Sequence, residues 1–486
     1  MRISTAGLGG LIQSLARRGP VFPSGGMTLV RDVSQGTLMD LERSLTRANP
    51  DAGPLDAPYV ELFRRHPDGL LVPRYFDEHR VSSLGRVEPV EIDDGGFEHV
   101  LSFPPRPEQV QITSALDCWD GDVGVRAPCG FGKTYVAAYY AARLGGRCLV
   151  IVPNQNKMNE WRREMARFMG LRESDVGHVQ ADVRRWREHP VTVAMSKTMA
   201  LQDFPEEFER GFRLTVVDEA HLVQAPVLSR ALGKVAGRRM ALTATPGRGL
   251  RREITELHCG GHWLCPDVEQ VRCRFEFLVV PVWDRLRAAS WDWLRIEIAK
   301  DVFYSRTAAQ VTEQLMDQGR RVLVINSQVQ PLLDIYKLLR ERGGFVCGHE
   351  SVRRAADAFP RLQTQIDLRD EVRLPARLDG YIADVKRSAN PILGIGLTKT
   401  QPAGTGMDVP DLDGGVIMLP VASPDMVTQL VGRWGRVHPG KKQPLVVVMV
   451  PDTAEAHDRA HAMRSHLARL GADVVEQARV IPRRSF

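Results

Sequence analysis

Lysine is scarce in this 486-residue chain, with ten residues against 55 arginines. A skew of that kind reflects GC-rich coding more often than a surface selected for arginine. No run of about 18 uncharged apolar residues occurs, which excludes a membrane-spanning helix. The apolar stretch after Met1 is interrupted by Gln13, Arg17 and Arg18, and no small-residue cleavage site follows, so a signal peptide is not expected. Cysteines number only seven, an odd count scattered along the chain. They read as reduced thiols in a cytosolic protein. Short-period repeats and low-complexity tracts are also missing.

What is present is ordinary for a globular protein: 43% hydrophobic and 26% charged residues, with a length suited to about three domains. The net charge of +6 is compatible with a polyanionic partner. It is unevenly spread. Residues 1–100 carry 11 arginines, no lysine and 14 acidic groups, so the excess positive charge lies further on. Pro and Gly punctuate this first stretch, around one helix expected near Gly36–Arg47. We read residues 1–95 as a small accessory domain that selects substrate geometry.

Beyond it, short β-branched runs alternate with helical segments. Strands are expected at Val123–Ala127, Cys148–Pro153, Val191–Met195, Leu214–Asp218 and Met240–Thr243. A second series is expected at Arg321–Asn326, Phe345–Gly348, Pro391–Thr398, Gly415–Leu419 and Leu445–Val450. Such runs argue for two α/β domains with parallel sheets, one at 96–260 and one at 300–475.

Ala127-Pro-Cys-Gly-Phe-Gly-Lys-Thr134 follows a strand and precedes an apolar helical run. Gly130 and Gly132 allow the backbone to curl so that N–H groups converge on phosphate oxygens. Lys133 is expected to reach the β- and γ-phosphates, and the Thr134 hydroxyl to ligate Mg²⁺. Leu214-Thr-Val-Val-Asp-Glu-Ala-His221 ends a strand in two carboxylates. Asp218 can face the same Mg²⁺, while Glu219 suits the polarisation of an attacking water. His221 either couples nucleotide state to Thr243-Ala-Thr245 or caps local structure. Gln429-Leu-Val-Gly-Arg-Trp-Gly-Arg436 puts Arg433 and Arg436 on what reads as one helical face. An inserted arginine neutralises charge on a transferring phosphoryl group. Trp434, between the two, argues against a merely solvated basic helix.

In this order the residues resemble superfamily 2 helicases and translocases. The phosphate loop matches motif I, Asp218–His221 motif II, and Thr243–Thr245 motif III. Val322–Gln328 resembles motif IV, Ala403-Gly-Thr-Gly-Met-Asp-Val-Pro410 motif V, and Gln429–Arg436 motif VI. By this resemblance Gln109, in Arg106-Pro-Glu-Gln109, reads adenine, and Gly406 and Asp408 join the nucleotide site. Leu149–Pro153 with Trp161 resembles a segment that touches one nucleic-acid strand. The Ala-Pro-Cys-Gly opening and Gly-Arg-Val-His-Pro-Gly-Lys441 look like the UvsW-like and XPB-like branch. The segment after motif IV departs from that branch's glycine-rich pattern, so no nucleic-acid contact is carried over there.

The resemblance implies two tandem RecA-like P-loop lobes with ATP and Mg²⁺ at their cleft, and movement on branched or double-stranded DNA without sequence preference. RNA stays open as a substrate. Replication, repair or defence proteins are the partners it implies, and a membrane is not among them. A translocase subunit of a restriction or defence complex, and an ATP-gated clamp with little turnover, are the alternatives. Cys259, His262, Cys265 and Cys273 offer metal-like spacings, although these match no common zinc knuckle.

Overall fold

The computed structural model describes residues 20–24, 27–31, 33–48, 59–76, 86–87, 91–128, 130–224, 226–244, 249–268, 271–339, 345–347, 392–395, 397–398, 401–402, 411–475 and 479–480. The chain divides into two units, one of Met1–Ala127 with Phe131–Asp267, the other of Val268–Phe486 with Pro128–Gly130.

The first unit opens with strands β1 (Pro20–Ser24), β2 (Met27–Arg31), β3 (Thr46–Ala48), β4 (Tyr59–Glu61), β5 (Arg64–His66), β6 (Gly69–Pro73) and β7 (Arg86–Val87). Five of them make a sheet in the order β5-β6-β2-β1-β7, and β3 pairs with β4. The expected helix runs Gln35–Leu45. Its N-cap Ser34 accepts the Thr37 N–H at 3.1 Å, and its buried side is Leu41 and Leu45.

A second sheet follows, from β8 (Val123–Arg126), β9 (Cys148–Val152), β10 (Val176–Gln180), β11 (Val183–Arg185), β12 (Val191–Met195), β13 (Leu214–Asp218), β14 (Arg238–Thr243) and β15 (Trp263–Leu264). Their order is β11-β10-β12-β9-β13-β14-β8-β15, and every pair except β10 with β11 is parallel. Every residue of β9 and β13 is buried, as strands covered on both faces require. The five strands expected here all form. Sequence reading missed β10, β11 and β15, which are short, polar or broken by glycine and histidine.

The N-terminal sheet shares its core with this second sheet. Val30, Leu41, Leu45, Leu70, Val72 and Phe76 belong to one apolar cluster with Leu149, Ile151, Val217 and Ala241. A polar knot adds to it. The Arg74 guanidinium donates to Asp122 Oδ2 at 2.9 Å and to the Gly237 carbonyl at 3.0 Å. Asp122 Oδ1 accepts the Arg239 N–H at 2.9 Å, and the Tyr75 N–H reaches the Leu257 carbonyl at 3.0 Å. Arg239 is fully buried and donates to the carbonyls of Leu232 and His258. Burial lowers its pKa to about 9, and lowers that of His258 to about 3.

The second unit holds β16 (Arg274–Val280), β17 (Val322–Asn326), β18 (Phe345–Cys347), β19 (Ile392–Ile395), β20 (Leu397–Thr398), β21 (Gln401–Pro402), β22 (Gly414–Ile417), β23 (Leu445–Pro451), β24 (Asp473–Val474) and β25 (Arg479–Val480). The sheet order is β18-β19-β17-β22-β23-β16-β24, with β25 also on β16 and β20 paired to β21. Seven residues of β16 pair in parallel with β23, so this unit starts well before residue 300, where sequence reading placed it. That reading left residues 261–299 between the two domains and overlooked the Arg-Phe-Glu-Phe-Leu-Val-Val run. Phe275, Phe277, Val324, Ile417, Trp434 and Val448 lie at the centre of its core.

Breaking the knot should loosen the first unit. Asp122→Ala removes the carboxylate partner of the Arg74 guanidinium and the acceptor of the Arg239 N–H, which should cost about 3 kcal/mol in urea denaturation. A loss below about 1 kcal/mol would mean the knot is not what joins the two sheets.

Candidate nucleotide site

The candidate residues of the first unit gather at the C-terminal ends of β8, β13 and β14, where ligands bind on open parallel sheets. After β8 the chain turns through Gly130 and Gly132, at φ of +82° and +87°. A Cβ at Gly132 would lie 2.4 Å from the Gln109 amide nitrogen, so both the φ and the space call for glycine. The helix Lys133–Leu144 begins there, capped by Gly132, with Tyr135, Val136, Ala137 and Ala138 buried behind it. The Lys133 ammonium donates to the Ala127 carbonyl at 3.0 Å, inside the curl of the loop.

Gln109 is 1% exposed on the helix Pro107–Asp117. Its side chain accepts the Arg106 N–H at 2.9 Å and donates to the Phe131 carbonyl at 2.9 Å. It therefore braces the loop directly. The sequence-level role of Gln109, reading adenine, has this second job beside it.

Asp218 ends β13 and is 4% exposed. One oxygen accepts the Glu219 N–H at 3.0 Å, and the other accepts the Trp161 indole N–H at 2.8 Å. Lys157 Nζ lies 3.9 Å from that second oxygen and 3.1 Å from Glu160. Burial works against the Lys157 ammonium, but the carboxylates of Asp218, Glu160 and Glu219 outweigh it and hold the pKa above its ordinary value. Glu219 sits at φ +52°, a left-handed conformation that costs a non-glycine residue about 1–3 kcal/mol. His221 Nδ1 lies 3.4 Å from the Glu219 carboxylate and 3.1 Å from the Thr243 hydroxyl. His221 thus stands between the Glu219 carboxylate and the end of β14. Thr134 starts the same helix as Lys133, while Thr245 lies outside the described residues.

Trp161 corrects one expectation. It is 2% exposed with its N–H on Asp218, so the ring is not open to a nucleic-acid strand. Lys157 was not read as a site residue, and Trp161 was read only as a nucleic-acid contact. Their signal was the spacing of four along the helix Gln155–Phe168, which puts both on one face.

In the second unit Arg433 occupies the last turn of the helix Pro424–Trp434, but Arg436 lies beyond its end. The shared helical face expected for the pair is therefore not found, because the helix stops at Gly435. Trp434 is the anchor: its indole donates to the Gly414 carbonyl at 2.8 Å, and a Cβ on Gly415 would stand 2.5 Å from its ring. Lys441 was also missed. Its amine donates to the carbonyls of Trp434 at 2.6 Å and Arg436 at 2.9 Å, tying down the backbone that carries the arginine. Burial lowers its pKa to about 8. Gly406 and Asp408 lie outside the described residues.

The cysteine and histidine set does not converge. The Cys259 thiol is buried and pushed up to about 12, His262 stacks on Trp119 with centroids 3.7 Å apart, and Cys265 is exposed. Cys273 belongs to the second unit and donates to the Val271 carbonyl at 3.5 Å. Among the described residues no group of three or more His, Cys, Asp or Glu side chains could hold a metal ion.

Residues 102–248 match the family model described as type III restriction enzyme, res subunit. The DNA 3'-5' helicase XPB of Mycobacterium tuberculosis is 32% identical over 160 residues, 31% of this chain and 29% of the relative. Its counterpart in Kineococcus radiotolerans is 34% identical over 155 residues, 30% of this chain and 27% of the relative. The chain thus spans under a third of the length of these two relatives. Among solved structures, the ATP-dependent type ISP restriction-modification enzyme LlaBIII bound to DNA superposes on 79% of this chain, 31% of that one, with a TM-score of 0.50 and 13% identity. That likeness concerns the fold. The res-subunit match covers both the phosphate loop and the acidic pair, the XPB helicases are similar over about a third of the chain, and the α/β fold is shared with the restriction-modification enzyme.

Proposed function

We propose that this chain is an ATP-driven DNA helicase or translocase acting on duplex or branched DNA without sequence preference. The carrying observation is the meeting, at nearby strand ends, of a glycine-curled loop with Lys133 and a buried Asp218 beside a half-buried Glu219 that is linked through His221 to Thr243. The relatives' name, DNA 3'-5' helicase XPB, supports DNA as the substrate.

The donor set fits a Mg²⁺-bound triphosphate. A loop closed to any side chain at position 132, opening a helix of 12 residues, suits a polyanion at the helix N-terminus. Lys133 would hold the outer phosphates, and Thr134 with Asp218 would hold the cation. Bound there, the Mg²⁺ nucleotide supplies an electrophilic phosphoryl group whose developing charge is partly neutralised. Glu219 orients and deprotonates the attacking water, held ready by its left-handed backbone and by His221. By the resemblance, Arg436 and Arg433 would add positive charge to the transferring phosphoryl group. Gln109 recognises the base end while bracing the loop. Gly406 and Asp408 complete the assignment from the resemblance, and residues 1–95 choose among substrate geometries. The res-subunit match also favours a second reading, in which the chain is the motor of a restriction or defence complex.

Steady-state ATPase assays with single-stranded, duplex and forked DNA and with RNA test the reading, and the largest stimulation should come from duplex or forked DNA. Glu219→Gln keeps the shape of the side chain and removes the base, so nucleotide should still bind while turnover falls by about 10²-fold or more. Near-normal turnover in that variant would remove Glu219 from the chemistry. Lys133→Ala should lose nucleotide affinity instead. Arg436→Ala should bind nucleotide nearly normally and lose about 10³-fold in single-turnover hydrolysis. A rate within a few-fold of the wild type would exclude Arg436 from the turnover step.

A further inference from the structure

The helix Gln155–Phe168 touches the acidic pair with two side chains of different chemistry. Trp161 gives a neutral hydrogen bond to Asp218 Oδ2 at 2.8 Å, and Lys157 places a full charge 3.9 Å from the same oxygen. Both are enclosed, Trp161 at 2% exposure and the Lys157 side chain at 14%. The other Asp218 oxygen takes the N–H of Glu219, so the carboxylate is held from two sides. The Asn154 side chain accepts the Lys157 N–H at 3.0 Å, which fixes the start of the helix next to the site.

We infer that this helix sets how tightly the acidic pair takes a divalent cation, through two side chains of opposite effect: the Trp161 indole fixes the Asp218 carboxylate in place, and the Lys157 ammonium is a resident charge that an arriving cation must overcome. The inference rests on the reading of Asp218 as the carboxylate of a Mg²⁺ nucleotide site. A hydrogen-bond partner behind a ligating carboxylate orients it and raises affinity. A like charge a few ångströms away, in surroundings poor in water, lowers affinity for a cation. Lys157 meets Asp218, Glu160 and Glu219 together, so it balances the pair when no cation is bound. Trp161 and Lys157 are positioning and charge-balancing residues, and neither is catalytic.

The test uses the full-length chain saturated with a non-hydrolysable ATP analogue and titrated with MgCl₂ in a calorimeter. Trp161→Phe keeps an aromatic ring but removes the N–H, and should weaken Mg²⁺ binding by about 10-fold or more. Lys157→Met should strengthen it. In an Asp218→Asn background, Trp161→Phe should have no further effect, because the two act through one oxygen. Melting temperatures without Mg²⁺ report folding. If Trp161→Phe does not fold, the direction of the Lys157→Met shift decides alone. General loosening of the core would move both variants the same way, and that result, or two affinities within about two-fold of the wild type, overturns the inference. A wild-type chain whose analogue binding ignores Mg²⁺ would overturn the underlying reading as well.

Discussion

A carboxylate 4% exposed at the end of a central parallel strand is tenable only if its charge is met, and the first unit is arranged around meeting it at Asp218. The strand β13 is buried along its whole length, so its last residue cannot turn to solvent. Its partners come from three places: the backbone of Glu219, the indole of Trp161 and the ammonium of Lys157. The chain leaves β13 through a left-handed Glu219, which directs that second carboxylate toward His221 and the end of β14. One buried charge thus dictates a strand end, a strained residue and the placing of a neighbouring helix.

The phosphate loop solves a different problem on the same sheet edge. A loop that encloses an anion has to present backbone, so side chains must be kept away from its inner face. Gly132 meets that demand, and Gln109 sits where a Cβ would otherwise go. In the second unit the constraint is again one of packing, since Trp434, the last residue of its helix, fills the space left by Gly415, and Arg436 follows beyond the helix end. Arg436 is consequently carried on irregular backbone, held by Lys441 and not by helical bonds.

Much of this was legible in the residues because it depends on local pattern. Buried parallel strands announce themselves as aliphatic runs, and Val191–Met195 and Leu214–Asp218 form with the limits read from the sequence. The glycines and lysine of the loop, and the acidic pair after its strand, were likewise read from spacing. What escaped depends on distant contacts. The strand Arg274–Val280 looked like a boundary until its pairing with β23 was seen. Trp161 and Lys157 acquire meaning only from Asp218, about 60 positions away in the chain. The packing of the Trp434 ring on Gly415, about 20 positions away, is likewise something periodicity cannot report.

The loop and the acidic pair are held to be two halves of one nucleotide site, and hydrogen exchange addresses that most directly. Amides in 130–136 and 218–222 would be followed by mass spectrometry, with and without a Mg²⁺-bound, non-hydrolysable ATP analogue. Slowed exchange in both segments, appearing together over the same range of analogue concentration, is the predicted result. Protection of one segment without the other, or of neither, would contradict a shared site.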